Sequence, residues 1–303
     1  MNELEVIQVD RSRSQLVEPL GSKPKFWFHD GKRRLLFKAD DRGTGEDWAE
    51  VVACHLCELI GLPHVEYELA AEYDGEQRIR PGVVCENMAY EPVVLELGNQ
   101  LLLAADPQYP LAQRFKVRQH TVEAVCDIMA HLALPPDELM GNAPAGVESA
   151  LDVFTGYVML DAWIANQDRH HENWGALRDG RKLRLSPTFD HGAALARNLL
   201  DIERNERLKT KDRNRTVVAF AGRGRSAFYA TPEDSRALEL REAFQTFARR
   251  APGAAQAWLD RLRGVNQSEM TRILERVPRE RMSDTCKQFT LELLLTNQQR
   301  LLE

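Results

Sequence analysis

The chain is short of cysteine: five among 303 residues, an odd number from which no disulfide framework can be drawn. A reducing cytosol is therefore the expected setting. No apolar run approaches the ~20 residues that span a bilayer, so the sequence reads as having no membrane partner. The opening "MNELEVIQVDRSRS" lacks the basic-then-apolar order of a secretory leader. Excess positive charge is missing too; the formal charge of −6 argues against direct binding of nucleic acid or anionic membranes. There is no internal repeat, low-complexity segment or HExxH. The single CxxC, Cys54 to Cys57, sits inside "EDWAEVVACHLCELIGL", where apolar residues recur at helical spacing. It reads as a pair of small buried helix residues, because a thioredoxin-like pair would open a helix after a strand. What remains is an ordinary globular composition, 43% hydrophobic and 28% charged, long enough for two lobes with their own cores.

Local patterns place the elements. "KFWFHDGKRRLLFKA" is two apolar runs around an Asp-Gly turn, which predicts a hairpin. "DDRGTGEDWAEVVACHLCELIGLP" predicts a helix ending at Gly61 and Pro63, and "HVEYELAAEYDGEQRIRPGVVCENM" predicts further strands. "QRFKVRQHTVEAVCDIMAHLAL", "ESALDVFTGYVMLDAWIAN" and the chain from about Pro232 onward read as helices. The fold class expected is α+β, with a small β-rich lobe over residues 1–105 and a larger α-helical lobe over 106–303. The boundary falls near the proline-containing "AADPQYPLAQ".

The chemistry concentrates in "NQDRHHENWG" and "LSPTFDHGA". Between them "WGALRDGRKLRLS" predicts a second hairpin turning near Asp179 and Gly180, which pairs Asn173 with about Ser186 if the register is symmetric. Asp168, Asn173 and Asp190 then converge at one end of the hairpin. An Asp and an Asn five residues apart, followed by a hairpin and a second Asp, match the parts that phosphoryl transfer needs. One carboxylate orients the attacking hydroxyl, and oxygen ligands hold Mg²⁺. The remaining parts are upstream. "LGSKPKFWF" puts a Gly-Ser turn before a strand, where a phosphate-covering loop would sit; Lys38 closes the next strand, placed to grip phosphates. Glu50, in the helix after that, can pair with Lys38.

These residues resemble the HipA-like serine/threonine kinases, in the short single-chain branch that lacks an additional amino-terminal subdomain. The family segment N-x-D-x-H-x-x-N is matched by Asn166, Asp168, His170 and Asn173, and its metal segment by "LSPTFDHG". "GSKPK" (Gly21 to Lys25) is similar to the family phosphate loop G-x-Q-x-K, with Lys23 where Gln is common. The resemblance implies a two-lobed protein-kinase-like fold with ATP and Mg²⁺ between the lobes. It implies Lys38 as the ATP lysine with Glu50 as partner, Asn173 and Asp190 as metal ligands, and Asp168 as the residue orienting the hydroxyl. His170 supports the loop. Gly21 and Ser22 face the phosphates, and Glu86 and Met88 lend backbone groups near the adenine. Ser22 offers a hydroxyl for autophosphorylation. The implied partners are a protein substrate and an antitoxin or other regulator; the implied place is the bacterial cytoplasm, or outside it if a specialised secretion system exports the chain.

Two other readings stand beside this one. A small-molecule phosphotransferase would share the fold and the Asp-Asn spacing. His170, His171 and His191 could instead join Asp168 and Asp190 around a transition metal in a hydrolase, though that reading leaves Lys38 and Glu50 without a role. The basic stretch "DIERNERLKTKDRNRTVVAFAGRGRSAFY" reads as an ordered substrate platform, a mobile activation-like segment or a solvated loop.

Overall fold

Alternating apolar residues build the first sheet. The computed structural model describes residues 2–17, 24–41 and 43–303. Strands β1 (Ile7–Asp10), β2 (Leu16–Val17), β3 (Lys25–Asp30) and β4 (Arg33–Ala39) are followed by helix α1 (Glu46–Ile60), then β5 (Tyr67–Asp74) and β6 (Gln77–Glu86). The six strands form one sheet in the order β1-β5-β6-β4-β3-β2, antiparallel except for the parallel pair β1 and β5. Phe26, Phe28, Leu35 and Phe37 point to one side and close a small core with Val9, Ala70 and Val84. The parallel strand β1 has no turn signal near it; its pairing is long-range and was not foreseen from the sequence.

The second part begins with β7 (Val94–Leu97), α2 (Gly98–Ala105), α3 (Val122–Met129) and α4 (Ala150–Trp163). A three-stranded antiparallel sheet joins β7 to β8 (Gly175–Asp179) and β9 (Lys182–Leu185). Helices α5 (Asp201–Lys209), α6 (Val217–Ala221), α7 (Leu240–Arg250), α8 (Pro252–Gly264), α9 (Gln267–Arg276) and α10 (Asp284–Leu302) complete the chain. At the centre is α4, buried on nearly every side because α7, α8 and α10 pack around it. That explains its unbroken apolar run "VMLDAW", in which the lone acid Asp161 must find a partner.

The architecture is the expected α+β one, with a β-sheet N-terminal part and a helical remainder. Three local expectations change. The helix predicted from Gln113 starts only at Val122, where Thr121 accepts a hydrogen bond from the Ala124 amide as its cap. The basic stretch after Asp190 is ordered, with α5 and α6 packed on α10. The hairpin β8–β9 turns one residue later than expected, pairing Asp179 with Lys182 and Ala176 with Leu185. The same rule governs β3–β4 and β5–β6: in each, Asp is the last strand residue and Gly opens the two-residue turn. Gly31, Gly75 and Gly180 have φ of +59°, +59° and +57°, a first turn position that favours glycine. Extending the register sets Ser186 opposite Gly175, with the Ser186 amide donating to the Gly175 carbonyl at 3.0 Å. Asn173 therefore faces the position of Thr188, two residues nearer Asp190 than expected.

Candidate active site

The site sits where the first sheet meets the loops after α4 and β9. Lys38 is the sixth residue of β4, between Lys25 of β3 and Val83 of β6 in register. Its Nζ donates to Glu50 Oε1 at 2.7 Å and to Asp190 Oδ1 at 3.0 Å. The Tyr67 hydroxyl lies 3.5 Å away. Burial alone would lower the lysine pKa, but the two carboxylates outweigh it and hold the ammonium well above the usual range. Burial pushes the Glu50 carboxyl up, against the pull of Lys38. Glu50 is also tied across the cleft, since its Oε2 accepts the His191 amide at 2.7 Å. Asp190 has φ of +61°, a left-handed conformation that Asp tolerates better than most residues, and its amide donates to the Tyr67 hydroxyl at 3.3 Å.

The loop carrying Asp168 is fixed from beneath. Asp161, on the last turn of α4, accepts hydrogen bonds from the Arg169 guanidinium and, at 2.8 Å, from Asn166 Nδ2. Both members of the ion pair are almost fully buried, and burial raises the Asp161 pKa despite Arg169. Arg169 also donates to the Asn173 carbonyl at 3.3 Å. Asn173 Nδ2 donates to the Asp168 carbonyl at 2.6 Å, so the amide presents its oxygen for any other contact. The His170 amide donates to the same carbonyl at 2.7 Å.

Lys38, Glu50, Asp168 and Asp190 line one cavity of about 420 Å³ with Lys25, Asp40, Arg114 and Arg197 among its other walls. Asn173 and His170 are buried just behind Asp168. Glu86 ends β6 opposite Leu35 and Met88 lies two residues beyond, and neither lines the cavity: Glu86 accepts the Tyr90 hydroxyl at 2.5 Å, and Met88 packs on the cluster around Tyr67 and Cys85. Gly21 and Ser22 lie outside the described residues, as does Lys23.

No family model matches the chain, and no curated protein matches it. Solved structures share its fold, among them a kinase and a toxin–antitoxin complex. The Helicobacter pylori proinflammatory kinase CtkA superposes with a TM-score of 0.67 at 16% identity, over 97% of this chain and 95% of that one. A chain of the Shewanella oneidensis toxin–antitoxin complex of HipA, HipB and operator DNA does so with a TM-score of 0.53 at 10% identity, over 94% of this chain and 64% of the longer neighbour. The fold is that of the HipA-like kinases.

Within that fold, sequence reading missed the residues that hold the site together. Arg197 pairs with Glu46 at 2.5 Å, donates to the Gly192 carbonyl at 2.9 Å and also meets Thr44. It bridges the start of α1 and the segment after Asp190, and no local motif announces it. Arg169 did leave a signal, in the unpartnered acid of α4. The histidines have separate occupations. His171 Nδ1 meets the Tyr109 hydroxyl at 2.8 Å, His191 Nε2 meets Thr188 Oγ1 at 2.8 Å, and His170 Nδ1 accepts the Glu172 amide at 3.1 Å. Burial lowers the pKa of all three, to about 4 for His170 and His171. Among the described residues, no group of three His, Cys, Asp or Glu side chains at metal-ligand spacing occurs here; the three histidines are engaged with Tyr109, Thr188 and the Glu172 amide instead.

Proposed function

We propose that the protein is an ATP- and Mg²⁺-dependent serine/threonine protein kinase of the HipA-like type. The observation that carries the reading is the Lys38 ammonium held between Glu50 and Asp190, at 2.7 and 3.0 Å, in a cavity shared with Asp168. ATP is the substrate. Lys38, positioned by Glu50, would grip its phosphates, with Gly21 and Ser22 facing them and the backbone near Glu86 and Met88 meeting the adenine. Among the described residues, the lining carries six acids, Asp40, Glu46, Asp47, Glu50, Asp168 and Asp190, against four cationic side chains. That excess suits a triphosphate that arrives with a divalent cation. Asp190 and the side-chain oxygen of Asn173 are the residues that would hold Mg²⁺, which supplies charge neutralisation at the phosphates when bound. Asp168 orients the acceptor hydroxyl and takes its proton as the oxygen bonds to the γ-phosphorus and the bond to ADP breaks. His170 stays neutral and braces the loop.

The HipA structure contains HipB, which makes a bound regulator the partner to look for here. The deciding experiment incubates the protein with labelled ATP and Mg²⁺ and follows label into the chain itself and into a bacterial lysate. Phosphoserine or phosphothreonine is expected, lost in Asp168→Ala. Label confined to small metabolites would replace this reading with the small-molecule phosphotransferase, and no ATP-derived label anywhere would end it.

A further inference from the structure

The far end of α1 carries a second group of reactive side chains, outside the cleft. Glu50, Cys54 and Glu58 follow one another at four-residue steps and so share one stripe of the helix. After the helix ends at Gly61, the chain turns back and brings His64 to that stripe. One ligand atom each from Cys54, Glu58 and His64 lies within 4.8 Å of the others. The two halves of the CxxC part company here. Cys57 faces the large helical core, whereas Cys54 packs on the other side with Val65 and Tyr67.

The histidine is already oriented. His64 Nδ1 sits 2.7 Å from the Leu62 carbonyl, so that nitrogen carries the proton and Nε2 keeps its lone pair. Nε2 is buried and has no hydrogen-bond partner. An imidazole whose outer N–H is held by a backbone carbonyl is the arrangement that metal-bound histidines adopt. Glu58 is braced as well, with Oε2 3.0 Å from His55 Nδ1.

We propose that Cys54, Glu58 and His64 form a binding site for one thiophilic divalent cation, with Zn²⁺ the ion that a sulfur, oxygen and nitrogen donor set selects. On binding, the Cys54 thiol releases its proton to water, and thiolate, carboxylate and imidazole occupy three positions of a tetrahedron with water in the fourth. Metal bonds of about 2.0–2.3 Å put donors roughly 3.5 Å apart, so the group closes by about an ångström. The Glu58 side chain is half exposed, so it can make that movement by turning about its contact with His55. The residues around His64 are themselves tied toward the cleft: the Thr188 amide donates to the Pro63 carbonyl and the Val65 amide to the Thr188 carbonyl, both at 3.0 Å. A cation here would staple α1, one turn beyond Glu50, to the segment 63–65, which is hydrogen-bonded to Thr188, two residues before Asp190. The site does not depend on the kinase reading.

The test uses the full chain, stripped with a chelator and titrated with Co²⁺ as a spectroscopic probe, then with Zn²⁺ in competition. One Co²⁺ per chain is expected, with thiolate-to-cobalt charge-transfer absorption that Zn²⁺ abolishes. Cys54→Ala should remove that absorption, His64→Gln and Glu58→Gln should weaken binding at least about tenfold, and Cys126→Ala should leave it intact. Glu58 is on the surface, so Glu58→Gln decides the matter if circular dichroism shows the buried variants misfolded. Absence of the band, its survival in folded Cys54→Ala, or unchanged affinity in Glu58→Gln would overturn the site.

Discussion

Asp168 projects from a loop anchored in the interior by Asn166, Arg169, His170 and Asn173, while Lys38, across the cleft, is held by charges of which one, Asp190, comes from the opposite side. On the loop wall, Asp161, Asn166, Arg169 and Asn173 form a closed, buried set of hydrogen bonds. The Asp168 carboxylate above it is 39% exposed. On the sheet wall, the contacts of Lys38 and Glu50 reach Asp190 and the His191 amide, which belong to the opposite side. The first arrangement fixes a group in advance of any ligand. In the second, α1 is already seated in the large helical core through Trp48, Val52, Leu56 and Ile60, and the polar contacts of Glu50 and Lys38 tie that helix and the sheet to the segment around Asp190. That coupling is the kind of device by which a two-part cleft can be switched.

Cutting the crossing contact should have the largest effect. Asp190→Ala removes one of the two carboxylates on Lys38 and a proposed metal ligand, so phosphotransfer should fall by about 10³-fold or more. The melting temperature should stay within about 3 °C, because Asp190 is partly exposed. A large loss of stability instead would mean that the crossing contacts hold the fold, not only the site. The loop wall should answer in the opposite way. Arg169→Met strands the buried Asp161 carboxylate, and urea unfolding should show a loss of about 3–5 kcal/mol. Arg279→Ala, at an exposed pair with Asp284, should cost less than about 1 kcal/mol in the same assay. Equal costs would mean that the loop wall is anchored no better than an exposed surface pair.

How much of this was legible in the sequence follows from the range of each interaction. The hairpins, α1 and the trio Asp168, Asn173 and Asp190 are written in spacings of a few residues, and local chemistry carries them. The hairpin register was misjudged because Asp-Gly was centred in the turn, whereas the structure puts Asp in the strand and Gly first in the turn. The Lys38–Glu50 contact could be anticipated only from the order of parts that phosphoryl transfer needs, since a sequence separation of twelve admits many geometries. Arg197 with Glu46, and β1 beside β5, are long-range pairings with no local signature. The stretch from Gln113 to Thr121 read as the start of a helix, yet its backbone turns until Thr121 caps α3, and the proline-containing boundary before it sets Tyr109 against His171.

A smaller effect separates the walls by pH. His120 lies under the loop wall, accepting the Trp174 Nε1–H at 3.1 Å and meeting the Ala227 carbonyl at 2.9 Å. Burial lowers its pKa to about 3, opposed by the Ala227 hydrogen bond and aided by His171 and His170. A group depressed in the fold stabilises it above its unfolded pKa near 6.5 and loses that contribution as pH falls toward 3. Going from pH 7.5 to 5.5 should cost about 1.4 kcal/mol for this histidine, and His120→Gln should remove that share of the slope in urea titrations. An unchanged slope would mean that the imidazole is not held neutral in the fold.

The smallest change probes the hinge of the coupling. The Tyr67 hydroxyl lies 3.5 Å from Lys38 Nζ and 3.3 Å from the Asp190 amide, so it touches both sides of the cleft through one oxygen. Tyr67→Phe keeps the ring against the lysine, 5.0 Å from Nζ to its centroid, and deletes only that oxygen. Each lost bond is at the long end of the range, so together they should be worth about 1 kcal/mol or less. The loss should appear as a rise of a few-fold in KM for ATP, with kcat little changed, because Asp168 and its frame are untouched. If kcat fell instead, the left-handed turn at Asp190 would depend on this hydroxyl, and the sheet wall would be setting the geometry of the chemical step rather than the grip on nucleotide.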